Sequence, residues 1–180
     1  MFAELIATEG VEEIYRAAGP IGVMALHGGL EEGTASIAAA TAEATGASLY
    51  AVVQPSNLRW HVPSIRYNPA DSAALAGFLE VVETAVSLHG YGRAGLEDTA
   101  LLGGTNRLFA HRILGELTER GLAAIADLDS IPVGLKGLHR LNPVNRPLQA
   151  GVQLELPMTL REGLNAQLVV DALAAAMAAA

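Results

Sequence analysis

Gly22-Val23-Met24-Ala25-Leu26-His27-Gly28-Gly29 runs five small or apolar residues straight into a histidine and two glycines. An unbroken apolar run of this length, stopped by glycine, reads as a strand buried on both faces, the kind found in parallel sheets. Thr34 then caps an alanine-rich helical stretch, Ala35 to Thr45, which Gly46 closes. The same grammar recurs along the chain. Ser48 to Val53 reads as a second strand, Ser72 to Val82 as a helix, and Thr84 to Leu88 as a strand ending at His89-Gly90. Leu101-Leu102 before Gly103-Gly104 reads as a short strand. Arg107 to Arg120 reads as an amphipathic helix with Leu108, Ile113, Leu114 and Leu117 inward and Gly121 as its stop. Val152 to Leu156 alternates, with Val152, Leu154 and Leu156 on one face and Gln153 and Glu155 on the other. Strands alternating with helices define an α/β class. No repeat and no long linker divides the chain, so one domain over residues 1–180 is expected. The Leu141 to Pro147 stretch is a loop, and long ordered loops often carry function.

The chain has 180 residues, 51% hydrophobic and 17% charged, with a net charge of -8. A chain of this size buries roughly 70% of its unfolded surface, and its apolar content excludes intrinsic disorder. Nineteen acidic against eleven basic residues argue against nucleic acid and anionic membranes, which need a basic face. With no cysteine, thiol catalysis, disulfides and iron–sulfur clusters are excluded, and any metal must be held by His, Asp or Glu. The N-terminus lacks a basic stretch followed by a long apolar one. The apolar segment Ala166 to Ala180 is too short to span a bilayer, carries Asp171, and reads as a terminal helix. A soluble, cytoplasmic protein is expected, with its oligomeric state open.

Two of the five histidines share one context: His27 and His89 each follow an apolar strand and precede a glycine. In open α/β sheets, ligands sit at the carboxyl ends of strands, where these imidazoles would be delivered. Glu31 and Glu32 lie four and five residues after His27. Two His and one Glu form the ligand set of a catalytic zinc site, which leaves a position open for water. Zinc lowers the pKa of such a water from about 15.7 to roughly 7. The plainer alternative is a pair of strand-end histidines bonded to backbone carbonyls, with the tandem Glu at a helix N-terminus.

Glu155 lies in a strand between Leu154 and Leu156. Buried, it would have a raised pKa and could act as a general base; on a solvent-facing sheet surface it would be inert. Arg66, Arg107, Arg112, Arg146 and Arg161 lie near turns or helix starts, and a guanidinium suits a substrate carboxylate. Arg146, in the loop before the Glu155 strand, is the best placed. His61, after Trp60 in a Pro-containing loop, could donate to substrate, whereas His111 and His139 have no such context.

The run Ala25-Leu26-His27-Gly28-Gly29-Leu30-Glu31-Glu32-Gly33-Thr34 resembles the opening motif of the poly-γ-glutamate hydrolase family, small zinc enzymes of phages and bacteria. His61-Val62-Pro63-Ser64, Ser87-Leu88-His89-Gly90, Leu102-Gly103-Gly104, Asn142-Pro143-Val144-Asn145-Arg146 and Gly151 to Leu156 follow in the same order, so the resemblance covers roughly Ile21 to Arg161. It implies a three-layer, compact zinc-carboxypeptidase-like fold: a twisted mixed sheet with helices on both faces. It further implies Zn2+ held by His27, Glu31 and His89, and Glu155 as general base and acid. Arg146, Asn145 and His61 would meet the substrate. The reaction implied is hydrolysis of a γ-glutamyl amide, in a small molecule or in polyglutamate. Two departures stand out. Family members usually have one more residue between the Gly pair and the Glu, which by counting selects Glu32; the Leu-Glu-x-Gly-Thr register selects Glu31. Pro63 stands where the family more usually has Thr.

Two other readings remain beside this one. A zinc deacylase of N-acyl amino acids, similar in fold to aspartoacylases, would share the metal site with a different pocket. A non-catalytic α/β binding domain would have lost it. The acidic net charge sits awkwardly with a polyanionic substrate, although fields in clefts are local.

Overall fold

The apolar run at Val23–Leu26 forms the middle of a ten-residue strand that takes in His27 and Gly28 at its carboxyl end. The computed structural model describes residues 1–179. In chain order its elements are α1 (Phe2–Ile6), β1 (Glu12–Arg16), β2 (Gly19–Gly28), α2 (Thr34–Thr45), β3 (Ala47–Val53), α3 (Ala73–Val81), β4 (Thr84–Tyr91), β5 (Thr99–Leu102), α4 (Arg107–Glu119), β6 (Ala123–Ile125), β7 (Gly151–Pro157) and α5 (Gly163–Ala178). The seven strands form one sheet in the order β1-β3-β2-β4-β7-β5-β6. The inner four, β3, β2, β4 and β7, run parallel. β1 pairs antiparallel with β3, and β5 antiparallel with β7, so the sheet is mixed as expected.

Both faces are covered. Val23, Ala25, Val86, Leu88, Val152 and Leu154 point to one face and pack with α2, α4 and α5 in the larger apolar cluster. Met24, Leu26, Tyr50, Val52 and Ala85 point to the other and pack with Phe2, Leu5, Leu75 and Phe78 of α1 and α3. This double burial is why the inner strands read as continuous apolar runs. The smaller cluster backs only part of its face, and the polar residues of β4 and β7 occupy the part beyond it.

Several details differ from the sequence reading. Thr34 is the first helical residue rather than the cap; Gly33, with φ 88°, takes the cap position, and Thr34 Oγ1 donates to the Glu31 carbonyl at 2.7 Å. In α4, Leu108 is 75% exposed, and Phe109, Ala110, Ile113 and Leu117 face the core. The true stripe is Phe109-Ile113-Leu117, a strict four-residue spacing that starts one residue after Leu108. α1, β1 and β6 carry too little pattern to be read: five, five and three residues long, they are held by the elements they dock on. Glu12 and Arg16, exposed at the ends of β1, suit an edge strand, since charge there discourages pairing with other chains. Ala180, the end of the expected terminal helix, lies outside the described residues.

The central position of β7 makes its core face costly to empty. Leu154→Ala is expected to lower unfolding free energy by about 2–5 kcal/mol, and Leu108→Ala by no more than about 0.5 kcal/mol. Urea denaturation of both variants measures the difference; equal losses would contradict this core assignment.

Candidate metal centre and cleft

The sheet order creates the site. From β2 the chain crosses through α2 to β3 on one side, and then through α3 to β4 on the other side of β2. The connections after β2 and after β4 therefore diverge, leaving a crevice at the carboxyl ends of these two neighbouring parallel strands. His27 is the penultimate residue of β2, and His89 lies two residues before the end of β4.

Both imidazoles are oriented from behind. His27 Nε2 lies 2.9 Å from the Val62 carbonyl, to which it donates, so in the neutral ring Nδ1 is the nitrogen left for a ligand. His89 Nε2 lies 2.9 Å from Ser87 Oγ, and donating to that hydroxyl would leave Nδ1 free in the same way. The two Nδ1 atoms face one another at 3.3 Å. Glu31 closes the triangle, with Oε1 2.9 Å from His27 Nδ1 and Oε2 3.6 Å from His89 Nδ1. Gly90 N–H donates to Glu31 Oε2 at 2.9 Å. Ligand atoms of the three residues all lie within 4.8 Å of one another.

This donor set suits a small divalent cation. Two nitrogens each roughly 2.0–2.1 Å from a tetrahedral zinc stand about 3.3–3.4 Å apart, which is the spacing seen between the Nδ1 atoms. Second-row hydrogen bonds of the kind made by Val62 and Ser87 fix the tautomer of a metal-binding histidine. Burial by itself would raise the Glu31 pKa, but the hydrogen bonds and charges of His27 and His89 outweigh it and hold the carboxyl well below the usual range. Burial pushes His89 down, and His27 and His61 push it further, against the pull of Glu31. A neutral imidazole beside an ionised carboxylate is the state a metal requires.

Glu155 stands on β7 in register with His89, and Gln153 in register with Ser87. It is 4% exposed. Burial, followed by the charge of Glu31, pushes its pKa up to about 8, while a hydrogen bond from Gln153 and the charge of Arg161 pull the other way. Gln153 Nε2 donates to Glu155 Oε1 at 2.8 Å, and Gln153 Oε1 accepts from Asn142 Nδ2 at 2.7 Å. β4 and β7 thus use one device. On each strand the residue two positions upstream, on the same face, holds the functional side chain.

These groups line a cavity of about 690 Å³, walled by residues 133–139 and by the segment His61 to Ile65. His61 lines it, exposed, with its ring 4.7 Å from that of His27, and burial followed by His27 lowers its pKa. Asn145 does not line the cavity. Its Oδ1 accepts from Thr105 N and Oγ1 at 3.1 and 3.0 Å, and its Nδ2 donates to the Gly137 carbonyl at 2.7 Å, bracing the wall from outside. Arg146 is exposed in a neighbouring depression with Arg66, Phe2 and Met1. Glu32 is exposed, and only its carbonyl is engaged, by Arg161 Nη1. Arg161 also donates to the Leu156 carbonyl at 3.1 Å and lies so close to Gly90 that a Cβ there would sit 2.8 Å from its guanidinium carbon. It pins the loop that carries Glu31. Sequence reasoning misses Ser87, Gln153 and Asn142 as site residues, although period-two spacing from His89 and Glu155 marks the first two, and it names Arg161 only as one of five arginines suited to a carboxylate.

The fold and the strand-end cluster define the class: an α/β enzyme of hydrolytic type, with a candidate metal centre in the crevice at its strand ends. The chain belongs to the poly-gamma-glutamate hydrolase family, whose model matches residues 2–177. A bacteriophage poly-gamma-glutamate hydrolase structure is similar at 25% identity and a TM-score of 0.81, covering 94% of this chain and 89% of that one. A structure described as zinc-free YndL shares the fold at 20% identity and a TM-score of 0.77, covering 91% of this chain and 87% of the other. Comparison with curated protein sequences finds no match. No helix among the described residues is long and apolar enough to cross a membrane.

Two outcomes follow from the site geometry. Glu31→Gln should lose bound zinc on dialysis and Glu32→Gln should retain it, as read by metal analysis of the purified variants; the reverse would move the ligand by one residue. The second concerns metal-free protein. The Glu155 pKa rises on folding from 4.5 to about 8, so the native state holds the extra proton between those values and stability falls as pH rises through that window. His89, lowered on folding, acts in the opposite direction below its ordinary 6.5. Thermal midpoints of the metal-free protein should therefore fall between about pH 7 and pH 9, and Glu155→Gln should flatten that decline.

Proposed function

We propose that this protein is a zinc-dependent amidohydrolase that cleaves γ-glutamyl amide bonds, with His27, Glu31 and His89 holding the metal and Glu155 moving the proton. The observation that carries it is the convergence of two Nδ1 atoms, 3.3 Å apart, on the Glu31 carboxylate, beside a buried Glu155. Family membership supports the bond type, and the existence of a zinc-free form of a fold neighbour supports zinc as the metal. We further propose a single domain over residues 1–180; one continuous sheet supports it.

When bound, zinc supplies Lewis-acid charge that polarises a carbonyl and acidifies water. The side chains do the rest. Glu31 neutralises part of the metal charge and is kept ionised by its two histidine partners. Glu155, held by Gln153 through Oε1, takes a proton from the attacking water and returns it to the leaving nitrogen. Its elevated pKa makes both transfers feasible near neutrality, and positive charge nearby draws it downward into the base form. His61, facing the cavity from its rim, donates to the substrate. Asn145 acts through the wall it braces. Arg146 meets only a substrate long enough to leave the cavity.

Purified protein should hold about one zinc per chain, and Glu155→Gln should keep that zinc while losing at least about 100-fold in hydrolysis of γ-glutamyl amides. Metal-free protein together with unchanged activity in Glu155→Gln would defeat the proposal.

A further inference from the structure

The net charge of -8 is not spread evenly along the chain. Residues 54–70, which follow β3, and residues 130–150, which precede β7, hold five of the eleven basic residues and none of the nineteen acidic ones. The five are Arg59, Arg66, Lys136, Arg140 and Arg146. The same two segments supply the cavity walls, His61 to Ile65 and residues 133–139. The segments around the cleft are therefore cationic in a protein that is acidic elsewhere, and a local field of that sign draws an anionic chain toward it.

Two of the five meet in one place. Arg66 and Arg146 line a depression of about 420 Å³, and Ile65 lines both it and the cavity, so the two recesses adjoin at the turn Ser64–Arg66. The backbone of each arginine is pinned in a short turn: Arg66 N–H donates to the Pro63 carbonyl at 2.8 Å, and Arg146 N–H to the Pro143 carbonyl at 3.1 Å. Both side chains are exposed, and neither guanidinium is in an ion pair among the described residues. By contrast, Arg107 and Arg161 are held by backbone carbonyls and Arg120 by Glu116. Among the described residues Asp71 is the one acidic group lining the depression, and it pairs with neither arginine. Ile65 and Leu141 add apolar surface to the same depression.

That combination suits a γ-linked glutamate chain. Such a chain has two methylene groups of every residue in its main chain and a free carboxylate directly beside it. Apolar side chains next to guanidinium groups meet both features, the first by burying methylenes and the second by a bidentate grip on carboxylates.

We infer that Arg66 and Arg146 form a distal subsite, outside the catalytic cavity, that binds free carboxylates of a poly-γ-glutamate chain at residues removed from the scissile bond. The inference rests on the γ-glutamyl hydrolase reading above and adds a second contact region to it. Both arginines bind substrate and take no part in the chemistry, so their contribution falls on KM. The uneven charge also reconciles an acidic protein with a polyanionic substrate.

The test measures kcat and KM of the zinc-loaded protein on poly-γ-glutamate for wild type, for Arg66→Gln with Arg146→Gln, and for Arg16→Gln as a control for lost positive charge. Arg16 is exposed on β1 opposite Leu49, toward the end of the sheet away from the cleft. All three arginines are exposed and unpaired, so the variants should fold. Expected is a rise in KM of at least about fivefold in the double variant, carried by KM rather than kcat, and of less than about twofold in Arg16→Gln. Raising NaCl from about 0.05 M to about 0.5 M should narrow the gap between wild type and the double variant, because salt screens exposed charges. A smaller rise in the double variant, a loss confined to kcat, an equal rise in Arg16→Gln or a gap unmoved by salt overturns this inference and leaves the hydrolase reading standing. Failure of the wild type to cleave poly-γ-glutamate or any shorter γ-glutamyl amide overturns both.

Discussion

Everything at the site depends on β2 and β4 lying side by side and parallel. Only then do two strand ends reach the same crevice, and only where the connections depart in opposite directions along the sheet does that crevice stay open. A histidine at each strand end then brings two imidazole nitrogens within 3.3 Å. Two imidazole nitrogens facing one ionised carboxylate need a cation between them, a metal ion or protons, to offset their repulsion. The cluster therefore has a chemical demand built into it.

Meeting that demand requires the imidazoles to hold still. The Val62 carbonyl and the Ser87 hydroxyl each engage an Nε2, which fixes both the ring orientation and the nitrogen that faces inward. Gln153 does the equivalent for Glu155, and Asn142 holds Gln153 in turn. The stretch 133–139 that walls the cavity is tied to the same amides, since Gln153 Nε2 also reaches the Leu135 carbonyl at 3.3 Å and Asn142 Nδ2 the Gly137 carbonyl at 3.4 Å. Glu155 and the cavity wall thus share one hydrogen-bonded frame.

Much of this was legible in the chain before folding. Unbroken apolar runs marked the inner strands, because a strand covered on both faces has no polar side to show. The strand–His–Gly repeat marked His27 and His89, and alternation placed Glu155 and Gln153 on one face. Less was legible where the signal is short or set by packing. β6, three residues long, gives no period to detect, and α1 is stabilised by docking rather than by its own turns. Leu108 satisfied a helical spacing, yet the stripe centred on Phe109 buries more surface and took the core.

By itself the sequence determined the α/β class, the acidic character, the absence of thiol chemistry and the residue types at the strand ends, because these follow from composition and from periodicities of two and about 3.6 residues. Tertiary structure alone decided how the Glu31 carboxylate meets both histidines, and that Arg146 lies outside the cleft while Arg161 pins its edge. By spacing from His27 alone Glu31 and Glu32 are equivalent, and only the Leu-Glu-x-Gly-Thr register favours Glu31. In space they differ because the turn after β2, set by the Glu31 N–H bond to the His27 carbonyl and by Gly33 in a left-handed conformation, directs one carboxylate inward and leaves the other in solvent.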